Sequence, residues 1–77
     1  MRVRVLLFGP LAEAAGRDAV DVELPDGATV GDVPGLVDGL PEALRSLAYA
    51  VNASYASAET VLSDGDEVAL IPPVSGG

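Results

Sequence analysis

The sequence predicts an α+β fold in which a mixed β-sheet packs against one main helix. Four short segments alternate apolar and polar residues, as half-buried strands do. One longer segment, between the second and third of these, carries apolar residues at helical spacing. The chain has 77 residues, of which 49% are hydrophobic and none is Cys, so packed aliphatic side chains must stabilise a single small domain.

A strand and a short helical run begin the chain. Apolar residues recur at every second position in residues 2–8, at Val3, Val5 and Leu7. This spacing predicts a strand with one buried face. Residues 11–15 follow Pro10, which is favoured in the first turn of a helix, and precede Gly16, which is favoured at its end. We therefore expect one short helix between the first two strands.

The second strand and the main helix come next. Val20, Val22 and Leu24 alternate with acidic residues, which predicts a strand with a solvated outer face. Thr29 and Asp32 approximate a capping box at the start of a helix. The apolar residues at helical spacing are Val30, Val33, Leu36, Val37 and Leu40. Glycines and a proline within residues 29–40 weaken this helix and leave its limits open.

The remaining segments complete the fold. A short turn is expected to begin at Pro41 and to carry Leu44, and alternation through residues 47–51 predicts a third strand. An Asp-Gly turn precedes the last strand, over residues 67–71. The compact arrangement of these elements is the β-grasp, with the two terminal strands side by side and the helix crossing over. We assign it to residues 1–71, with residues 72–77 as an extended tail.

Charge and composition restrict the function. Twelve acidic residues oppose four basic residues, all arginines, and give a net charge of −8. Such a chain repels nucleic acids and anionic membranes, and it favours a basic partner. Without His, Cys or Lys it lacks the usual catalytic bases and nucleophiles, so we do not expect it to catalyse a reaction alone. A cytoplasmic location is expected, since no apolar run reaches the length of a membrane span.

Three acidic residues lie close together at the predicted turn before the last strand: Asp64, Asp66 and Glu67. A calcium loop needs more ligands over a longer span. We therefore interpret the three as a solvated turn, and we expect no metal site.

The carboxyl terminus is the most informative segment, and its residues are Pro72, Pro73, Val74, Ser75, Gly76 and Gly77. Two prolines stiffen the exit from the last strand, because proline fixes φ and has no amide donor. The two final glycines form a thin tip. This shape is suited to place the terminal carboxylate in another protein's narrow channel, although a frayed terminus has a similar composition.

From Val3 to Gly77 the chain resembles the ubiquitin-like sulfur carriers, and most of all the small subunits of molybdopterin synthase. Four segments carry the resemblance: Leu6-Leu7-Phe8-Gly9 with Glu13 and Gly16, Ala50-Val51-Asn52, Leu62-Ser63-Asp64-Gly65-Asp66-Glu67-Val68, and Ile71 to Gly77. Two prolines before the final glycines are typical of this subfamily, whereas the thiazole-synthesis carriers usually lack them. The chain departs from the pattern at Ala12, where the family often has Arg before the Glu, and this departure affects one partner contact.

The resemblance implies a role for each part of the tail. A ubiquitin-activating-type adenylyltransferase would use ATP to adenylate the Gly77 carboxylate, and a sulfur donor enzyme would convert the adenylate to a thiocarboxylate. Pro72 to Gly76 would then lie in a channel of the molybdopterin synthase large subunit, where sulfur passes to a cyclic pyranopterin precursor. The chain would be a non-catalytic subunit of this sulfurtransferase and bind no cofactor itself.

Two other functions stay open. The chain is also compatible with a carrier that delivers sulfur to thiazole, tRNA or cysteine synthesis. A protein modifier, joined through Gly77 to lysines of its targets, is the third hypothesis. Because the chain has no Lys, it cannot form lysine-linked chains on itself.

Three residues are predicted to form a docking patch on the outer face of the sheet. With Val68 and Leu70 facing inward, alternation turns Ile71 outward, and Phe8 faces outward by the same reasoning. The resemblance adds Tyr55, since the family has a patch residue at that position. The alternative interpretation is that Phe8 packs beneath the turn that carries Leu11.

Overall fold

The computed structural model describes residues 1–40 and 47–72. Five strands, one α-helix and two 3₁₀ turns are present in these residues: β1 (Arg2–Leu7), α1 (Pro10–Ala15), β2 (Ala19–Glu23), the turns Val30–Asp32 and Pro34–Leu36, β3 (Ala48–Val51), β4 (Ser54–Ala56) and β5 (Glu67–Ile71). The predicted α+β class with a mixed sheet is confirmed.

The strands form one sheet in the order β2-β1-β5-β3-β4. The two terminal strands, β1 and β5, lie in parallel at its centre, and every other neighbouring pair is antiparallel. This is the side-by-side placement that the β-grasp prediction requires. It also puts the residue at which β5 ends, Ile71, in the interior of the sheet and not at an edge.

One face of the sheet is covered by the core. Val5, Val68 and Leu70 of the two central strands have no exposed surface. Val30 and Val33, from the segment that crosses this face, are equally inaccessible. Full burial of such a side chain contributes roughly 1.5–3 kcal/mol relative to exposure, so aliphatic packing of this kind stabilises the domain without disulfides.

The predicted main helix over residues 29–40 is wrong as a continuous helix, because the structure has two 3₁₀ turns there. Pro34 has no N–H and cannot form the α-helical bond to the carbonyl of Val30. The N–H of Val33 donates to that carbonyl instead, at 3.1 Å. Asp32 does fulfil the expected capping role, as its Oδ2 accepts the backbone N–H of Thr29 at 2.9 Å.

Two further sequence predictions have different outcomes. The alternation in residues 47–51 corresponds to β3, but the sequence did not predict β4, whose three residues are too few to show a pattern. The turn predicted at Pro41 and Leu44 lies outside the described residues. Among the residues that are described, no helix is long and apolar enough to cross a membrane.

Gly39 is expected to be required for stability. Its φ is +91°, and a Cβ there would lie 2.9 Å from the carbonyl oxygen of Ala14. Gly39→Ala should lower the free energy of unfolding by at least about 2 kcal/mol, since it combines a left-handed backbone with a clash against main-chain atoms. Urea denaturation measures this. The matched control is Gly35→Ala, where a Cβ meets nothing within 4 Å; equal losses for the two variants would contradict the explanation.

Candidate docking face

The sheet face opposite the core carries an apolar row that crosses all five strands. Leu6, on β1, pairs with Ala19 on β2 and with Ala69 on β5. Ala69 in turn pairs with Ala50 on β3, and Ala50 pairs with Tyr55 on β4. Paired residues in neighbouring strands share a face, and Leu6 lies between the buried Val5 and Leu7. All five residues of the row therefore face away from the core.

A second apolar group lies beside this row, toward the end of β5. Ile71 pairs with Ala48 on β3 and is half-buried. Phe8 directly follows β1, one position beyond the pairing of Leu7 with Leu70. Its side chain is 47% exposed, which does not fit the alternative interpretation of Phe8 as a core residue. Tyr55 is 85% exposed. We call the row and this group together the docking face.

The other end of the same sheet face is charged. Arg4 pairs with Asp21 on β2 and with Glu67 on β5. Next to it, Nε of Arg2 donates to Oε1 of Glu23 at 2.9 Å. The Arg2–Glu23 ion pair is exposed, so it contributes little to stability. The effect of these charged residues is to divide the sheet face into a charged end and an apolar end, and the apolar end is the one at which β5 finishes.

The predicted tail starts at this apolar end. Pro72 follows the last residue of β5 and is half-buried. Pro73, Val74, Ser75, Gly76 and Gly77 lie outside the described residues. A partner that covers the docking face would thus also contact the point from which the terminal segment leaves the sheet.

Asn52 connects the β3–β4 turn to the start of β5. Its Nδ2 donates to Oδ1 of Asp66 at 3.0 Å, and its Oδ1 accepts the backbone N–H of Glu67 at 3.0 Å. Asn52 and Ala53 both have positive φ, 50° and 71°, as a two-residue turn between antiparallel strands requires. The sequence identified Asn52 only as part of the family pattern, because the hydrogen bonds depend on a segment 14 residues away.

The acidic residues before β5 organise their own loop. Oδ1 of Asp64 accepts the backbone N–H of Arg2 at 2.7 Å, and Oδ2 of Asp66 accepts that of Ser63 at 2.8 Å. This agrees with the interpretation of these carboxylates as turn residues. They hold the loop against the beginning of β1 and so help to align the two central strands.

We expect opposite effects from substitutions at the two turn residues. Asn52→Ala removes both side-chain hydrogen bonds and places alanine at positive φ, so the free energy of unfolding should fall by roughly 2 kcal/mol. Ala53→Gly should raise it by up to about 1 kcal/mol, because glycine adopts positive φ without a steric penalty. Thermal and urea unfolding measure both. A stabilising Asn52→Ala would mean that these hydrogen bonds contribute nothing to the fold.

Comparison with known proteins adds four findings. The model of the ThiS family matches residues 5–77. The molybdopterin synthase sulfur carrier subunit of Mycobacterium tuberculosis is 41% identical, over 100% of this chain and 99% of that protein. Among solved structures, small archaeal modifier protein 1 from Haloferax volcanii aligns with a TM-score of 0.79 at 32% identity, covering all of both chains. A chain in the complex of subunits 1 and 2 of the Helicobacter pylori molybdopterin-converting factor aligns at 0.67 and 30% identity, also over both full lengths.

Proposed function

The chain belongs to the ThiS family, and from this we propose that it is the sulfur carrier subunit of a molybdopterin synthase. The observation that carries the proposal is the place where β5 ends. This central strand finishes at Ile71, beside the apolar end of the docking face on an otherwise acidic protein, and in the sequence the segment that ends in Gly76-Gly77 follows it. The names of relatives such as that of Mycobacterium tuberculosis support the same assignment over the full chain.

In this function the reacting group is the Gly77 carboxylate. A carboxylate is a poor electrophile, so one of its oxygens first attacks the α-phosphorus of ATP and releases pyrophosphate. A hydrosulfide equivalent from a sulfur donor enzyme then attacks the acyl carbon, and AMP leaves with the bridging oxygen. The product is a thiocarboxylate whose sulfur is a soft nucleophile. The nucleotide is bound by the activating enzyme, and this chain binds no cofactor.

The partner in sulfur transfer is the large subunit of the synthase. Its active-site channel would take up Pro72 to Gly77 and hold the cyclic pyranopterin precursor, whose carbon would form a C–S bond as its C–O bond breaks. Water would then cleave the acyl–sulfur bond to Gly77, which leaves the sulfur on the pterin and returns Gly77 to a carboxylate. The narrowness of such a channel accounts for Gly76 and Gly77, because a Cβ at either position would widen the tip and restrict φ. The docking face, with Phe8, Tyr55 and Ile71, would rest against the channel mouth. The solved complex of the two Helicobacter pylori subunits supports this kind of pairing.

Association with the large subunit should depend on salt. A net charge of −8 favours a partner with a basic surface, and long-range attraction accelerates the encounter. Because the Debye length shrinks from roughly 30 Å at 0.01 M salt to 3 Å at 1 M, the association rate should fall by at least about tenfold across that range. Stopped-flow fluorescence measures the rate. A rate that is indifferent to salt would deny the acidic surface any steering role.

The second candidate is a protein modifier, which the similarity to small archaeal modifier protein 1 favours. In that function the activated Gly77 would acylate a lysine of a target protein, and no sulfur would reach a pterin. The two functions share the activation step and differ in the acceptor.

Reconstitution distinguishes the two functions. The thiocarboxylated chain is mixed with the large subunit and the cyclic pyranopterin precursor, and the pterin is analysed by mass spectrometry. The proposal predicts sulfur in the pterin and the return of Gly77 to a carboxylate. Lysine-linked adducts on other proteins in an extract with ATP and the activating enzyme, without sulfur transfer to the pterin, would support the modifier and contradict the proposal.

A further inference from the structure

A groove runs along β2, at one of the two edges of the sheet. Its volume is about 310 Å³, and it lies between β2 and the segment that follows the second 3₁₀ turn. Its apolar lining includes Val20 and Val22 of β2 on one side and Leu36 on the other. Leu36 is 49% exposed, so part of its side chain is available for an apolar contact in the groove. The function proposed above does not use this part of the molecule.

The strand beside the groove has backbone groups available for pairing. β2 is the edge strand, with β1 as its one neighbour in the described sheet. The N–H of Leu24 donates to Met1 across this pair at 2.8 Å, and in an antiparallel ladder only alternate residues bond to the same neighbour. Val22 is two residues from Leu24, so its backbone groups also face β1. The N–H and C=O groups of Asp21 and Glu23 therefore point away from β1, toward the free edge. Within residues 1–40 and 47–72, no other segment forms a backbone hydrogen bond with these two residues.

The charges around the edge specify what can pair with it. Asp21, Glu23 and Asp38 border the groove and Arg17 is its one cation among the described residues, which leaves an excess of negative charge. The opposite edge of β2 already binds a strand of defined pattern, since β1 has the sequence Arg-Val-Arg-Val and places its arginines against Asp21 and Glu23. We propose that the free edge of β2 binds a second strand of this pattern, an extended peptide of a partner protein with alternating basic and aliphatic residues.

The proposed geometry uses both sides of such a peptide. Its backbone would bond to Asp21 and Glu23 and extend the sheet by one strand. Its aliphatic side chains would enter the groove against Val20, Val22 and Leu36, while its basic side chains would lie on the outer face beside the two carboxylates. A peptide of this kind would bond to the free backbone groups of β2, fill the apolar groove and neutralise the excess negative charge.

A second copy of this chain is a poor occupant of the same edge. Pairing two β2 strands would bring Asp21 and Glu23 of one copy against the same residues of the other, and like charges directly opposite each other in a sheet are destabilising. The acidic edge thus discourages self-association and selects a basic strand.

The proposed site adjoins the docking face at β2, where Ala19 belongs to the apolar row, but it does not include the part of that face from which the tail leaves. It lies at the β2 edge, whereas the tail leaves from β5, two strands further into the sheet. A peptide in the groove would not cover Tyr55 or Ile71. The carrier could therefore bind this partner and a tail-binding enzyme at the same time, and the proposal stands even if the proposed function fails.

The test uses a designed peptide and the full chain. The probe is fluorescein-labelled Lys-Val-Arg-Val-Arg-Val-Lys amide, titrated with the protein and followed by fluorescence anisotropy. One control peptide has Glu in place of every basic residue, and another has Ser in place of every Val. We expect saturable binding of the basic probe alone, with an affinity that falls as salt rises. In ¹⁵N-labelled protein, the amide signals of Asp21 and Glu23 should shift more than those of β4.

Two variants test the edge strand and the groove, and the acidic control peptide tests the charge. Asp21→Pro removes an outward N–H without breaking the β1–β2 ladder, and proline is tolerated on edge strands with this orientation. It should weaken probe binding roughly fivefold. Leu36→Asp should weaken it by about tenfold or more through loss of the apolar contact. Glu59→Gln and Val61→Asp are matched controls at exposed positions outside the groove, and they should leave binding unchanged.

Each alternative result overturns the proposal. Binding of the acidic peptide as tightly as the basic probe would remove the charge argument. Unchanged affinity in Asp21→Pro, with the fold intact by circular dichroism, would show that the peptide does not extend the sheet. Sedimentation that reveals a dimer of the wild-type chain, dissociated by Asp21→Pro, would identify a second copy as the occupant. Absence of saturable binding of the basic probe would also end the proposal.

Discussion

Removal of Gly77 is expected to abolish sulfur transfer while the domain stays folded. The truncated chain still ends in a glycine carboxylate, but that carboxylate lies one residue, roughly 3.5 Å of extended chain, closer to β5. A displacement of about 1 Å at a reacting group can cost a hundredfold in rate. We therefore expect the rate of sulfur transfer to the pterin to fall by at least about a hundredfold. The rate is measured in the reconstituted synthase, with the unfolding transition recorded in parallel.

Ser75→Ala is the matched control for this truncation. It alters the composition of the tail by one side-chain oxygen but preserves its length, and we expect nearly normal transfer. The folded state should be unaffected in both variants, because the buried core residues lie between Val3 and Leu70. A truncated chain that transfers sulfur at the wild-type rate would contradict the assignment of the chemistry to the terminal carboxyl group.

Ile71→Asp is expected to weaken docking on the large subunit. Ile71 lies at the end of β5 on the apolar face, pairs with Ala48 and is half-buried, so part of its surface is available to a partner. A charge there would have to be desolvated in the complex. Central apolar residues of an interface contribute at least about 2 kcal/mol, so affinity should fall by roughly 30-fold or more. Calorimetric titration of the large subunit with the variant measures this.

Val61→Asp is the control for this substitution. Val61 is 63% exposed and belongs to none of the five strands, so the same kind of change is made away from the docking face. We expect its affinity for the large subunit to equal that of the wild type. Unchanged affinity in Ile71→Asp, with folding intact, would remove this residue from the interface. Loss of cooperative unfolding in Ile71→Asp would instead identify Ile71 as a core residue. The docking face would then be tested with Tyr55→Ser, because Tyr55 is more exposed.

The sequence predicted the elements whose local signals agree with the fold. Within residues 2–8, Val3, Val5 and Leu7 recur at every second position, and residues 2–7 form β1. Pro10 and Gly16 mark the limits of α1, where Gly16 adopts the left-handed conformation at the carboxyl end. Residues 67–71 were assigned to the last strand and form β5 with the same bounds. In these segments the spacing of the apolar residues agrees with the capping and turn residues at the ends. Because these local signals indicate the same structure, the prediction is reliable.

The sequence was less informative where tertiary contacts decide the structure. The helical spacing of apolar residues in residues 29–40 arises because these residues contact the core. Two 3₁₀ turns make the same contact, since Pro34 prevents a continuous α-helix. The pairing of Tyr55 with Ala50 depends on β4, which the sequence did not reveal, so the full apolar row could not be predicted. The composition of the tail indicated that the terminal carboxylate enters a narrow channel, but the chemistry proposed for Gly77 came from the family resemblance, because a terminal glycine carries no structural pattern.

Intact-mass analysis tests the central claim most directly. The chain is incubated with ATP, the adenylating enzyme and a sulfur source, and then digested so that the carboxyl-terminal peptide can be analysed separately. We predict a mass increase equal to the exchange of one oxygen for sulfur, confined to the peptide that contains Gly77. Sulfur on any other peptide, or a terminal peptide that remains unchanged while the adenylating enzyme consumes ATP, would contradict it.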